Sequence, residues 1–135
     1  MATTEGNPFL TMHRFRPLTL LAALSGAAAL GVALPSLVQA QVPAAQVRAL
    51  NLARNTAVTQ NGGLGVYRPQ PCMFETSAGG GSCLISNNAD GFTFLFLGGK
   101  PGWPENNSPA TTETEILVAP DGTAVEQVIY NGAPR

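Results

Sequence analysis

Cys72 and Cys83 are the only cysteines in the chain, so their chemistry is the first question the sequence raises. The segment between them, MFETSAGGGS, is long and glycine-rich enough to close a ring without strain. Catalytic thiol pairs have the tighter C-x-x-C spacing. Two thiols in one small domain of an oxidising compartment pair to stabilise the fold. The spacing therefore predicts a structural disulfide, worth roughly 3 kcal/mol by loop entropy.

The other residues able to do chemistry are few. His13 is the sole histidine, and it lies in the N-terminal segment read below as a removable export signal. Without it, Ser-His, Cys-His and His-metal arrangements have no member in residues 41–135, and the commonest general base is missing. Carboxylates remain. Glu113 and Glu115 alternate along one predicted strand, and Glu126 falls on the same face of the partner strand in one of two hairpin registers. Three acids on a face suit a metal or an acid/base pair, but they equally suit the solvated side of a hairpin. Ser86, Asn88, Asp90 and Gly91 have the spacing of the front of a calcium loop, yet Leu97 stands where the bidentate Glu is required, so a turn explains them. Gly79, Gly80 and Gly81 precede no Lys-Ser/Thr pair and follow no strand-to-helix transition, which argues against a phosphate cradle. No catalytic residue, metal site or cofactor follows from any of these patterns.

Trp103, the one tryptophan, sits in a loop over residues 98–110 (GGKPGWPENNSPA) beside Lys100 and Glu105. An aromatic anchor on a proline-stiffened loop is a common recognition device. Lys100, Trp103 and Glu105 are the candidate recognition residues. The competing reading has Trp103 folding back to cap one end of a small core.

These residues need elements to hold them. Residues 43–60 (PAAQVRALNLARNTAVTQ) place Ala45, Ala49, Leu50, Leu52, Ala53 and Ala57 on one face of a helix, with Val47 and Val58 flanking it and Arg48, Asn51, Asn55 and Thr59 opposite. Asn61-Gly62-Gly63 supplies a left-handed cap. The pattern then changes to period two, with strands expected over residues 64–68, 83–86, 92–97, 111–118 and 123–130. FTFLFL at 92–97 carries large apolar groups on both faces, which predicts a central strand with one face against the helix. Pro120-Asp121-Gly122 turns the last hairpin. A two-residue Asp-Gly loop would put Ile116 and Val118 on the same face as Val125 and Ile129; a glycine bulge would shift the pairing. The clean-core register is the one expected. The order predicts an α+β fold: one N-terminal amphipathic helix on a four- to five-stranded, mainly antiparallel meander.

The first forty residues carry a different message. Arg14 and Arg16 precede an uncharged run at 18–34 (LTLLAALSGAAALGVAL), which Pro35 ends, and Val38-Gln39-Ala40 offers a cleavage site. A charged region, an apolar region and an A-x-A-like site make a secretory signal, with cleavage expected between Ala40 and Gln41. The alternative, an uncleaved anchor, wants about 20 strongly apolar residues, and this shorter run is rich in Ala and Gly. Glu5 is unusual ahead of a signal, so Met12 makes a more compact start than Met1. Residues 41–135 form the expected single exported domain, periplasmic or extracellular. Five bases against seven acids leave this part at net −2 without a basic face, which excludes a nucleic-acid binder. No basic amphipathic helix argues for a membrane surface after cleavage.

In element order alone the domain is similar to cystatin-like and PepSY-like domains, and that likeness implies no activity. The stretches NLARNTAVTQNGGLGVYRPQPCMF, GFTFLFLGGKPGW and APDGTAVEQVIYNGAPR resemble those of small exported cyanobacterial proteins to which no activity is assigned. The resemblance implies one exported unit and lends no chemistry. The sequence thus points to a non-catalytic, monomeric module of the cell envelope that binds another envelope macromolecule or a small ligand. The alternatives are a small enzyme using only carboxylates and hydroxyls, or a passive structural component.

Overall fold

The computed structural model describes residues 40–135. The export signal expected over residues 1–40, and the choice between Met1 and Met12, therefore lie outside the described residues, apart from Ala40 at their margin. Ala40 and Gln41 are exposed ahead of the first helix.

Helix α1 spans Ala44–Gln60 and buries Gln46, Ala49, Leu50, Ala53 and Ala57. Its start has no side-chain cap, and Val47 N–H donates to the Pro43 carbonyl. Its end is a Schellman motif: Gly63 N–H donates to Val58 O at 2.8 Å and Gly62 N–H to Thr59 O at 3.4 Å, with both glycines at φ +93°. The small alanine face brings the helix close to the sheet, and Leu50 is its one large, fully buried side chain.

Five strands follow: β1 (Arg68–Pro69), β2 (Leu84–Asn88), β3 (Gly91–Gly99), β4 (Thr112–Val118) and β5 (Val125–Gly132). All pair antiparallel, in the order β1-β3-β4-β5, with β2 on the same edge of β3 as β1. The arrangement is α+β, with one helix packed on an open antiparallel sheet. β3 is central, as the FTFLFL pattern requires. Phe92, Phe94 and Phe96 are buried beneath the helix, and Thr93, Leu95 and Leu97 are half-buried on the other face. Ile116, Val118 and Met73 complete the interior without solvent contact. An aromatic of this kind costs about 3–5 kcal/mol when cut to alanine.

Two local expectations are corrected, and one segment left open takes a defined form. Residues 64–67 form a turn rather than a strand, because Gly63 O accepts from both Val66 N–H and Tyr67 N–H, which folds the chain before β1 begins. Between β1 and β2 the chain makes three successive 3-10 turns, at Pro71–Phe74, Thr76–Ala78 and Gly81–Cys83. The hairpin follows the clean-core register only as far as Val118↔Val125. A bulge then pairs Leu117 with Gln127 and Ile116 with Val128, and a second pairs Glu115 with Tyr130. Val128, not Ile129, therefore joins the core, and Ile129 stands 41% exposed.

Side-chain bonds fasten the helix to the rest of the domain, among them Arg54 Nη1 on Met73 O. Gln46 Nε2 donates to Gly79 O at 3.0 Å. Arg48 Nη2 and Nε donate to Asp121 O at 2.8 and 3.2 Å, which holds the β4–β5 turn. At the far end Asn61 Nδ2 donates to Asn131 Oδ1, which also accepts from the buried Thr114 hydroxyl.

Candidate recognition groove

Cys72 and Cys83 form the disulfide, with Cα atoms 5.9 Å apart, inside the roughly 7 Å limit for a bridge. The bond closes the three 3-10 turns into a compact knob. Gly79, Gly80 and Gly81 all have positive φ (60°, 95° and 48°), and Cβ atoms on Gly79 and Gly80 would press on Gln46 and on Phe94 and Leu50 respectively. The glycine run is required for close packing against α1 and β3.

This knob makes one wall of a groove of about 270 Å³, lined by Arg68, Pro69, Pro71 and Phe74 on one side and Pro101, Gly102, Pro104 and Glu105 on the other. The first wall is fixed from below. Gln70 N–H donates to Leu97 O at 2.8 Å, Leu97 N–H returns a bond to Gln70 Oε1, and Cys72 and Met73 are buried. Phe74 caps the wall at 44% exposure, with the Arg54 guanidinium 5.0 Å from its ring centroid and Arg54 Nη1 on Met73 O.

The second wall is the loop that the sequence singled out. Trp103 N–H donates to Lys100 O, Asn106 N–H to Gly102 O and Ser108 N–H to Trp103 O, each at 3.0 Å, so the loop is wound on itself. Trp103 is half-buried and packs on Gly99, where a Cβ would come within 2.8 Å of its ring. Its indole Nε1 donates to Arg68 O at 2.9 Å. Trp103 thus spans the two walls as a crosspiece, and its one polar group is already used. Lys100 and Glu105 are both exposed, and Glu105 lines the groove. Phe74 and Arg68 were missed by the sequence reading. The only sign of them was Arg-Pro-Gln-Pro-Cys, a stiff segment leading into a cysteine.

The carboxylates do not converge. Glu126 is exposed in the bulged part of β5. Glu113 and Glu115 share a face but are held by Arg135, whose Nε lies 2.7 Å from Glu113 and whose Nη2 lies 2.8 Å from Glu115. Arg135 also stacks 4.0 Å over the Tyr130 ring. Its hydrogen bonds and charge hold the Glu113 carboxyl below the usual range. A carboxylate kept ionised in this way is a poor proton donor at neutral pH. Among the described residues no three His, Cys, Asp or Glu side chains stand close enough to hold a metal ion. Asn88 and Asp90 close the β2–β3 turn, with Asp90 N–H on Asn88 Oδ1 at 2.9 Å. No described helix is long and apolar enough to cross a membrane.

No protein-family model matches the chain, and neither do the curated proteins or the solved structures.

Proposed function

We propose that this protein is a non-catalytic binding module of the cell envelope, exported through its N-terminal signal, and that the groove between residues 68–74 and 101–105 is where it binds. The observation that carries the reading is that both walls are tied by bonds within the chain itself. One is tied by the disulfide and the Gln70–Leu97 bonds, the other by its internal bonds, and Trp103 joins them. A preformed site loses little freedom on binding, which is what raises affinity for a given contact area. At about 270 Å³ the groove stands at the lower edge of the roughly 300–1,000 Å³ clefts that enclose a whole small molecule. It suits part of a longer chain, hence a macromolecular partner. The disulfide is compatible with export, because such bonds persist in oxidising compartments.

The test is capture from a detergent-free envelope extract by the immobilised oxidised protein. Wild type should retain a component that Phe74→Ala does not, while Glu126→Gln, on the exposed part of β5, retains it fully. Equal retention by wild type and the Phe74 variant, or none by either, would remove the groove from the account.

A further inference from the structure

We infer that the groove takes a segment of an acidic polysaccharide, a chain of sugar rings bearing carboxylates. The inference rests on the binding-module reading and names the partner class for that same site.

The first ground is where the cations stand. Residues 41–135 carry five basic side chains in a net acidic domain. Arg135 is spent on Glu113 and Glu115, and Arg48 on the carbonyl of Asp121. The other three, Arg54, Arg68 and Lys100, form no salt bridge among the described residues and stand in or next to the groove, with Arg54 also bonded to the Met73 carbonyl. Arg68 lines it, Arg54 lies over Phe74, and Lys100 precedes the lining Pro101 and follows Gly99, the β-partner of Arg68. A net acidic domain that places three cations without salt bridges at one opening, against Glu105 in the lining, is complementary to an anion there.

The second ground is what the walls lack. Four of the lining residues are prolines and have no N–H. Several neighbouring backbone groups are taken: Gln70 N–H by Leu97, Met73 N–H by Gln70, Trp103 N–H by Lys100 and Arg68 O by the indole. A peptide adding itself as a strand needs a row of free main-chain donors and acceptors, and these walls do not offer one. They offer pyrrolidine rings and an exposed Phe74, flat apolar faces on which a sugar ring can lie, with cations beside them. Glu105 would repel a bare polyanion. It accepts hydrogen bonds from hydroxyls, which a polysaccharide supplies along every ring.

The experiment is affinity electrophoresis of the full oxidised protein through gels containing polygalacturonate, neutral dextran or poly-L-glutamate, at low and at high salt. Polygalacturonate should retard the protein at low salt, less so as salt screens the cations. Lys100→Ala and Phe74→Ala should each weaken that binding by about tenfold, a difference of ordinary size for one good contact. Lys100 is exposed and outside the core, so its variant tests the idea even if the Phe74 variant folds poorly. No retardation by polygalacturonate overturns the proposal. So does equal retardation by dextran, or by poly-L-glutamate with an unaffected Phe74 variant. If these fail while groove-dependent capture from the extract persists, the partner class is wrong and the binding-module reading stands; if both fail, both are wrong.

Discussion

At the scale of single residues, Arg135 and Glu113 give the sharpest expectation. Glu113 is 9% exposed on the sheet face, and Arg135 lowers its pKa chiefly by hydrogen bonding. A carboxyl with a depressed folded-state pKa stabilises the protein above its unfolded pKa, near the ordinary value of 4.5, and that contribution is lost as pH falls through the folded value. Asp121, held low by its bonds from Thr123, acts in the same direction. Arg135→Gln should therefore lower the thermal midpoint at pH 7, and its gap from wild type should close as the pH is taken below about 4. A gap that stays constant down to acid pH would mean that the ion pair contributes nothing beyond packing on Tyr130. Two glycines make a second contrast. Gly63 and Gly122 both have positive φ, but a Cβ on Gly63 meets open space, whereas one on Gly122 strikes the backbone of α1 at Ala45 and Ala49. Gly63→Ala should cost about 1–2 kcal/mol, the left-handed penalty alone. Gly122→Ala should cost clearly more, and urea midpoints compare them directly. Equal costs would mean that the turn does not press on the helix.

At the scale of elements, the disulfide knob between β1 and β2 is the part whose stability bears on the proposed binding site. Reduction, or Cys83→Ser, should lower stability by roughly 3 kcal/mol, and chemical denaturation with and without reductant measures this. An unchanged midpoint would mean that the three turns hold their shape without the bond. The helix, the central strand and the cysteine pair were legible in the sequence because each has a strong local signal: an alanine-rich face at helical spacing, alternating phenylalanines, and two thiols. The turn at residues 64–67 was not legible, because alternation in LGVYR looks like a strand until Gly63 O is seen accepting two bonds. Nor was the hairpin register. Pro-Asp-Gly fixes the turn, but the bulges at Glu126 and Ile129 depend on which valine fits beneath α1, and that is decided by packing across the sheet. Gln46 was equally hidden. Its burial makes sense only once Gly79 O, 33 residues away, is found against it.

At the scale of the whole molecule, the loop at 98–110 was visible as a candidate because its composition is stiff and carries the one tryptophan. Its opposite wall was not, since no sequence rule brings residues 68–74 beside residues 101–105. That juxtaposition follows from the pairing of Arg68–Pro69 with Gly98–Gly99 and from the indole bond to Arg68. Trp103 is half-buried, between the exposed anchor and the folded-back cap that the sequence offered, and it also ties the walls through its indole. Trp103→Ala should reduce binding by loosening the walls, and should also lower the thermal midpoint by several degrees, about 4–8 °C for each kcal/mol lost in a domain of this size. A midpoint unchanged by that substitution would mean that the crosspiece is not structural. On the proposed reading, the cations beside the groove should give binding a salt dependence that the net negative charge of the domain would not suggest. The most direct test of the central claim is a two-dimensional amide NMR titration of the oxidised, isotopically labelled protein with envelope extract. The account predicts that the shifts concentrate on Arg68, Gln70, Phe74, Gly102 and Glu105, with β5 unmoved. Shifts confined to the Glu113–Glu115–Arg135 face, or none at all, would contradict it.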